Sequence, residues 1–147
     1  MDPFDFQWKM LAGIRRVKEQ TERVIHPFCE KSGLTPIQLR ILITLYFEGP
    51  QTVRALSQNT CMAVANNSVQ CKRLGALGLV ERRRDKSDER QVRVSLTAQG
   101  NAMVEELRFS SEASLRTLAD NISEDDAERI LNGLEKVAVI FEEENAS

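Results

Sequence analysis

A cluster of basic side chains lies near the middle of the chain. Six cations fall within twelve positions of a protein whose formal net charge is −2, namely Arg82, Arg83, Arg84, Lys86, Arg90 and Arg93. Like charges at this density repel one another, so the cluster is suited to a polyanion that neutralises them. The competing interpretation is a solvated turn with internal ion pairs to the neighbouring acids Glu81, Asp85, Asp88 and Glu89.

Charge is unevenly distributed along the chain. Residues 72–93 hold eight Lys/Arg and four Asp/Glu, a local charge of +4, whereas residues 105–144 hold four and twelve, a local charge of −8. A polyanion is attracted to the first segment and repelled by the second. We therefore expect the acidic C-terminal segment to lie away from such a partner.

No arrangement typical of catalysis or metal binding accompanies the basic cluster. The sequence has no Ser/His/Asp or Cys/His set, no glycine-rich phosphate loop and no His-Glu-x-x-His motif. A single histidine, His26, and three cysteines without a Cys-x-x-Cys pair do not supply the ligands of a zinc site. We predict that the protein is not an enzyme and uses no cofactor.

The bulk properties indicate one ordinary globular domain of 147 residues, 29% of them charged. No run of 18 apolar residues is present, and the N-terminal MDPFDFQWKM lacks the basic and apolar regions of a secretory signal. The odd number of cysteines argues against a secreted disulfide framework. These features predict a cytoplasmic protein with reduced thiols and no membrane partner.

Helix signals occur on both sides of the cluster. Apolar residues at spacings of three, four and seven predict a long amphipathic helix over roughly residues 5–31, which ends at Gly33. In LTPIQL, Thr35 and Gln38 form a capping box for a second helix that runs to about residue 48. Further helices are predicted for TVRALSQN from Thr52, over about residues 62–77, after Thr97 and after Ser123.

The basic cluster itself is predicted to form two short strands, LVERRR and QVRVSL, joined by the polar loop DKSDER. Two helices joined by a tight link and followed by a basic β-ribbon are a winged helix-turn-helix arrangement. We therefore predict a mainly α fold of the order α1-α2-α3-α4-β-β-α5-α6, with long helices at both termini.

The chain resembles the MarR family of bacterial transcriptional regulators over nearly its whole length. The similarity rests on four short motifs of that family: Leu34-Thr35-x-x-Gln38, Gly78-Leu79-Val80-x-Arg82, Asp88-x-Arg90 and Leu96-Thr97-x-x-Gly100. The resemblance implies a sequence-specific regulator that binds double-stranded DNA. It also implies a homodimer, a repressor role and a small-molecule effector that releases the DNA.

The fourth helix, which would read the major groove, departs from the family pattern. The family commonly has a Ser or Thr cap at Ala63, a buried aliphatic residue at Asn67, Arg at Val69 and Asp at Lys72. The polar residues that this helix offers to DNA are Asn66, Asn67, Ser68, Gln70, Lys72 and Arg73. Asn and Gln suit bidentate contact with adenine, and Lys and Arg suit phosphate or guanine.

The ribbon is predicted to lie along the DNA backbone, with its tip in the minor groove. Its expected DNA-contacting residues are Arg82, Arg84, Lys86 and Arg90. By resemblance, Arg90 is the residue directed to the minor groove, and Asp88 either orients it or pairs with Arg73 or Arg82. Counterion release from the phosphates would offset the repulsion among the cations.

We expect residues 34–100 to form the DNA-binding lobe and residues 1–33 and 101–147 to form a helical dimerisation region. The apolar stripes of helices one, five and six exceed what a small winged-helix core covers, which favours a dimer over a monomer with folded-back ends. A two-fold dimer would place two reading helices about 34–36 Å apart on a pseudo-palindromic operator.

Two alternatives stay open. The departures at Asn67, Val69 and Lys72 motivate a winged-helix protein-interaction module that does not bind DNA. Cys29, Cys61 and Cys71 motivate a thiol-based redox-sensing regulator, although a cysteine can equally serve as a small apolar core residue. The sequence identifies neither the operator nor the effector or its pocket.

Overall fold

The computed structural model describes residues 1–146, with side chains as far as Glu143. The helices in this part of the chain are α1 (Pro3–Ser32), α2 (Pro36–Glu48), α3 (Val53–Thr60), α4 (Val64–Ala76), α5 (Ala98–Asp120) and α6 (Glu124–Ala146). The strands are β1 (Gln51–Thr52), β2 (Val80–Arg84) and β3 (Val92–Leu96). The mainly helical winged helix-turn-helix prediction is confirmed.

The sheet is antiparallel with the strand order β1-β3-β2. Strands β2 and β3 form the predicted ribbon, in the register Val80 opposite Leu96 through Arg84 opposite Val92. Strand β1 was not predicted, because two residues are too few to show an alternating pattern. It pairs Gln51 with Val94 and so joins the ribbon to the start of α3.

Local capping interactions define the helix ends, and those at Gly33 and Thr35 lie at the predicted places. The Asp2 side chain accepts hydrogen bonds from the Phe4 and Asp5 amides, and α1 ends at Gly33, whose φ of 75° is left-handed. Both halves of the capping box between Thr35 and Gln38 are present at the start of α2. These bonds satisfy backbone donors that a helix start leaves free.

The link between the ribbon and α5 explains the Leu-Thr-x-x-Gly motif. The Thr97 hydroxyl donates to the Gly78 carbonyl at 2.6 Å and accepts from the Gly100 amide at 3.1 Å. A Cβ on Gly100 would stand 2.0 Å from the Leu79 carbonyl oxygen. Glycine is therefore required where the start of α5 approaches the Gly78–Leu79 segment between α4 and β2, and the Thr97 hydrogen bonds join the two segments.

The chain divides into two compact units, Met1–Ser111 and a second unit that begins at Glu112. The core of the first unit is apolar, and its fully buried members are Leu39, Ile41, Leu42, Leu56, Cys71, Leu74 and Val94. They come from α2, α3, α4 and β3, so burial of these side chains orients the helix-turn-helix against the ribbon.

The second unit contains the end of α5 and helix α6. The Ser123 hydroxyl accepts from the Asp126 amide at 3.1 Å, which confirms the predicted cap. Three acids in the first turn complement the helix dipole. Among the described residues, none of the helices combines the length and the apolar character that crossing a membrane requires.

Candidate nucleic-acid interface

Helices α3 and α4 are joined by a three-residue turn. Cys61 in this turn has a φ of 54°, and it is the one non-glycine residue with positive φ in the described part of the chain. Its amide donates to the Ser57 carbonyl and ends α3. Ala63, at the N-cap of α4, makes no side-chain cap bond, as its residue type dictates. Burial of one face, rather than a cap, therefore holds α4.

Asn67 does not belong to the DNA-reading surface, and this part of the prediction is wrong. Its side chain is 0% exposed. The amide nitrogen donates to Ser57 Oγ and Thr60 Oγ1, both at 3.1 Å, and to the Met62 carbonyl at 3.4 Å. Asn67 takes the place of a buried aliphatic residue because α3 and its turn supply hydrogen-bond acceptors for its amide.

The opposite face of α4 is exposed. It presents Ala65, Asn66, Val69, Lys72 and Arg73, of which Asn66, Lys72 and Arg73 are predicted DNA contacts. Ser68 is half-buried at the edge of this face, next to the buried Asn67. The face therefore combines an amide and two cations with small apolar side chains, which is a composition able to contact base edges and phosphates.

Gln70 has an amide group that is hydrogen-bonded on both sides. Its oxygen accepts from Gln38 Nε2 of α2 at 3.2 Å, and its nitrogen donates to Asn66 Oδ1 at 3.4 Å. The sequence suggested a direct base contact for Gln70. In the structure it links α2 to the exposed Asn66, and no local sequence signal indicates this link because the partners are 32 residues apart.

The loop of the ribbon is closed by its own hydrogen bonds. The Asp85 amide donates to the Gln91 carbonyl at 2.8 Å, and the Gln91 amide donates to the Asp88 carbonyl at 2.9 Å. Arg84 donates from Nη1 to the Glu89 carbonyl at 2.7 Å. These bonds give the loop a definite shape that presents its tip to solvent.

Arg90 carries an exposed guanidinium at this tip. Its side chain is 93% exposed, and Asp88 Oδ1 accepts from the Arg90 amide at 3.1 Å and from Nε at 3.3 Å. The two Nη nitrogens take no part in this contact. Asp88 thus bonds to Arg90, rather than to the alternative partners Arg73 and Arg82, in the orienting arrangement that the sequence suggested.

Internal ion pairs involve only a minority of the six cations. Among the described residues, Arg83 pairs with Glu81 at 2.7 Å and Arg90 pairs with Asp88, whereas the others have no carboxylate partner. Lys86 is exposed, and Arg93 donates to the Pro50 carbonyl at 3.2 Å. Because only Arg83 and Arg90 pair with carboxylates, most of the positive charge of the ribbon is uncompensated among the described residues. The two pairs are exposed, and such pairs contribute roughly 0–1 kcal/mol.

Arg82 differs from the other ribbon cations because it is half-buried against α4. Its aliphatic part lies beside Gly75, where a Cβ would meet Arg82 Cδ at 3.9 Å. Its Nε is buried and has no hydrogen-bond partner in the described part of the chain.

The cysteines are free thiols, two of them inside the protein. Burial raises the pKa of Cys29, and it raises the pKa of Cys71 to about 11, an effect that the nearby Arg82 charge partly opposes. Only a thiolate reacts readily, so both are poor redox sensors in the folded state. Cys61 is exposed. No group of three potential metal ligands occurs among the described residues.

A family model described as transcriptional regulator SarA/Rot matches residues 23–107, which include the whole helix-turn-helix and ribbon. No curated protein sequence matches the chain significantly. Many solved structures do match it, and their shared architecture supports the fold.

Three of these structures illustrate the similarity. NadR in complex with 4-hydroxyphenylacetate is 22% identical with a TM-score of 0.80, over 86% of this chain and 90% of that one. A mutant MarR from E. coli, complexed with operator DNA, is 23% identical with a TM-score of 0.74, over 93% and 99%. BpsR from Bordetella bronchiseptica, whose DNA binding 6-hydroxynicotinic acid regulates, is 24% identical with a TM-score of 0.72, over 88% and 98%.

The expected resemblance to MarR-type regulators is thus confirmed as a common fold. The matched family consists of transcriptional regulators rather than enzymes, in agreement with the prediction. The chain belongs to the SarA/Rot family of winged-helix transcriptional regulators.

Proposed function

We propose that the protein regulates transcription by binding duplex DNA in a sequence-specific manner, with α4 in the major groove and the 82–93 ribbon along the backbone and minor groove. The observation that carries this proposal is the set of cations on the exposed surfaces of α4 and the ribbon, most of which lack carboxylate partners among the described residues.

The part of the DNA that each residue contacts follows from its type and position. Lys72 and Arg73 on α4 and Arg84 and Lys86 on the ribbon contact phosphates and set the position on the duplex. Arg90, oriented by Asp88, enters the minor groove, where the negative potential favours a guanidinium. Asn66 contacts base edges in the major groove.

A homodimer is the proposed active form, with residues 34–100 as the DNA-binding lobe and residues 1–33 and 101–147 as the dimerisation region. Helix α1 exposes large apolar side chains, including Trp8 at 63%, together with Phe4, Phe6, Leu11, Ile14 and Val17. Helix α6 separately exposes Ile130, Leu131, Leu134, Ile140 and Phe141. Apolar surface of this extent is unfavourable in water, and a second copy of the chain would cover it.

The dimer is proposed to act as a cytoplasmic repressor on a pseudo-palindromic operator, released by a small-molecule effector. Support for an effector comes from NadR and BpsR, whose structures concern small aromatic acids. Such a ligand would act by favouring one spacing of the two DNA-binding lobes over another. Selection of bound fragments from a random duplex pool, with and without candidate ligands, would identify the operator and the effector.

A salt titration tests DNA binding directly. The fluorescence anisotropy of a labelled duplex is measured between about 50 and 200 mM KCl, a range over which a protein touching about 6–10 phosphates loses roughly 10³–10⁵ in affinity. The double variant Arg84→Ala/Lys86→Ala should bind more weakly and show a shallower salt slope. Arg116→Ala/Arg129→Ala removes the same charge from α5 and α6 and should not change the slope.

A protein-interaction module would give a different outcome in the same assay. It would show no appreciable affinity for any duplex at the lowest salt, although the protein is folded and dimeric by circular dichroism and analytical ultracentrifugation. That result would refute the proposed function.

A further inference from the structure

A chain of amide hydrogen bonds connects the start of α2 to the exposed face of α4. Gln38 Oε1 accepts from the Thr35 amide at 3.1 Å, and Gln38 Nε2 donates to Gln70 Oε1 at 3.2 Å. Gln70 Nε2 in turn donates to Asn66 Oδ1 at 3.4 Å. Gln38 is buried and Asn66 is exposed, so the chain runs from the core to the surface.

The direction of this chain follows from its first bond. A backbone N–H can only donate, so the Gln38 oxygen must face Thr35 and the Gln38 NH₂ group must face Gln70. The Gln70 oxygen is then turned to Gln38 and its NH₂ group to Asn66. Each amide therefore determines the orientation of the next, and the Asn66 oxygen is turned inward.

The consequence at the surface is an exposed donor. The Asn66 NH₂ group has two hydrogens, and its contact with the described part of the protein is a long one of 4.0 Å to Met62 Sδ. The Asn66 oxygen already accepts a hydrogen bond from Gln70. Asn66 is accordingly better suited to donate to a base than to form the two-way contact with adenine that an unconstrained asparagine makes.

We propose that Gln38 is a positioning residue for DNA recognition, which sets the base preference of Asn66 through Gln70. This inference rests on the proposed function, because it assumes that α4 enters the major groove. With its NH₂ group outward, Asn66 selects bases that present a major-groove acceptor on their exocyclic oxygen, guanine O6 or thymine O4. The exocyclic amino groups of adenine and cytosine are donors and cannot accept from this NH₂ group, which leaves adenine with N7 as its acceptor and cytosine with none.

The substitution Gln38→Glu reverses the chain. One carboxylate oxygen of the new side chain still accepts from the Thr35 amide, so the capping box is retained. The other oxygen can only accept, so Gln70 must turn its NH₂ group toward residue 38 and its oxygen toward Asn66. Asn66 then donates inward and presents its oxygen to the base. The preferred base changes from guanine or thymine to adenine or cytosine.

The test compares bound sequences selected from a random duplex pool by the wild type and by Gln38→Glu. We expect one position in each half-site to change from a keto base to an amino base, by about five-fold in relative affinity for one redirected hydrogen bond. Gln70→Glu should produce the same reversal, since its two oxygens would accept from Gln38 and from Asn66. Gln70→Glu therefore tests the same proposal if Gln38→Glu does not fold.

Two controls isolate the effect. Gln58→Glu adds the same charge to an exposed position on α3 and should leave the base preference unchanged. In an Asn66→Ala background, adding Gln38→Glu should have no further effect on that position, because the residue that reads the base is absent. A merely structural role for Gln38 would alter stability or overall affinity but would not exchange one base class for another.

The outcomes separate the two proposals. If the wild type selects no sequence from the pool, the proposed function fails, and this inference fails with it. If the wild type selects a site and both glutamate variants select the same bases, sequence-specific binding stands and the role of Gln38 is refuted. A shift from keto to amino bases in Gln38→Glu supports it, as does the same shift in Gln70→Glu where Gln38→Glu does not fold. A folded Gln38→Glu that keeps the wild-type bases refutes it, whatever Gln70→Glu selects.

Discussion

The buried Asn67 amide provides the sharpest test of the helix-turn-helix packing. In Asn67→Ala, the two N–H groups that bond to Ser57 Oγ and Thr60 Oγ1 at 3.1 Å are lost. The hydroxyl groups themselves keep their own donations, to the Val53 and Leu56 carbonyls, so no buried donor is stranded. The variant therefore measures the loss of the amide bonds together with the space that the amide leaves.

The expected magnitude follows from these contacts. Two neutral hydrogen bonds are worth about 1 kcal/mol each, and a partly collapsed cavity at a fully buried site adds about 1–2 kcal/mol. The higher helix propensity of alanine offsets about 0.6 kcal/mol of this loss in the free energy of unfolding. We expect a decrease of about 2–4 kcal/mol in the free energy of unfolding.

The assay is urea unfolding followed by circular dichroism at one fixed protein concentration, so that any dimer contribution is constant. Asn66→Ala is the matched control, since it removes the same group from the adjacent exposed position. A loss below about 0.5 kcal/mol for Asn67→Ala, or equal losses in the two variants, would refute the argument from burial.

The companion variant Asn67→Asp has a pH dependence of known sign. The oxygen that replaces the NH₂ group would face the Ser57 and Thr60 hydroxyl oxygens and the Met62 carbonyl oxygen. Because both hydroxyls already donate to the Val53 and Leu56 carbonyls, the folded state would raise the pKa of the new carboxyl above its unfolded value. Stability should then be highest at low pH, below the unfolded value of about 4, and should decrease as the pH rises through the folded pKa. No such dependence is expected for Asn67→Ala.

Further predictions concern the ribbon, the glycines and the thiols. Arg90→Ala should leave the fold and dimer intact but weaken DNA binding in anisotropy titrations and make the slope of log affinity against log salt shallower by about 1. Unchanged affinity would show that the tip of the ribbon does not touch DNA. In urea unfolding, Gly100→Ala should destabilise the protein by several kcal/mol, on the order of a severe core defect, because the added Cβ would overlap the Leu79 backbone. Gly133→Ala should stabilise the protein by roughly 0.5–1 kcal/mol, because the space around this position in α6 is open. In the native state Cys61 should react first with a disulfide reagent, and Cys71 only on unfolding. Equal reactivity of the two thiols would contradict the burial argument. The unfolded Cys71 thiol ionises near its ordinary pKa and the folded one at about 11, so the stability that Cys71 contributes should be lost as the pH rises through that interval.

The fold could be predicted from the sequence because its signals are local. The Thr35 capping box, the Ser123 cap and Gly33 after α1 act through bonds between neighbouring residues, and each lies where the pattern indicated. Alternation in QVRVSL likewise predicted a strand whose central Val94 is fully buried. The two-residue strand β1 escaped prediction because its pairing with β3 depends on residues more than forty positions away.

The candidate site was predicted less completely, for a physical reason. A sequence shows that α4 carries amides and cations, but the face that each occupies depends on how α4 packs against α2, α3 and β2. As a result of this packing, Asn67 lies in the core, and Gln70 is hydrogen-bonded to both Gln38 and Asn66. Arg82 packs beside Gly75. Polar residues are not expected in a core, so their burial becomes apparent only when the surrounding acceptors are in place.

The sequence by itself determined the order of helices and strands, their caps and the concentration of positive charge in the ribbon, since these depend on residue type and near neighbours. Only the tertiary structure decided which side chains of α4 remain available to a duplex and which way the Asn66 amide points. That orientation depends on a hydrogen-bond chain from α2 to α4, between residues that are distant in sequence and adjacent only after folding.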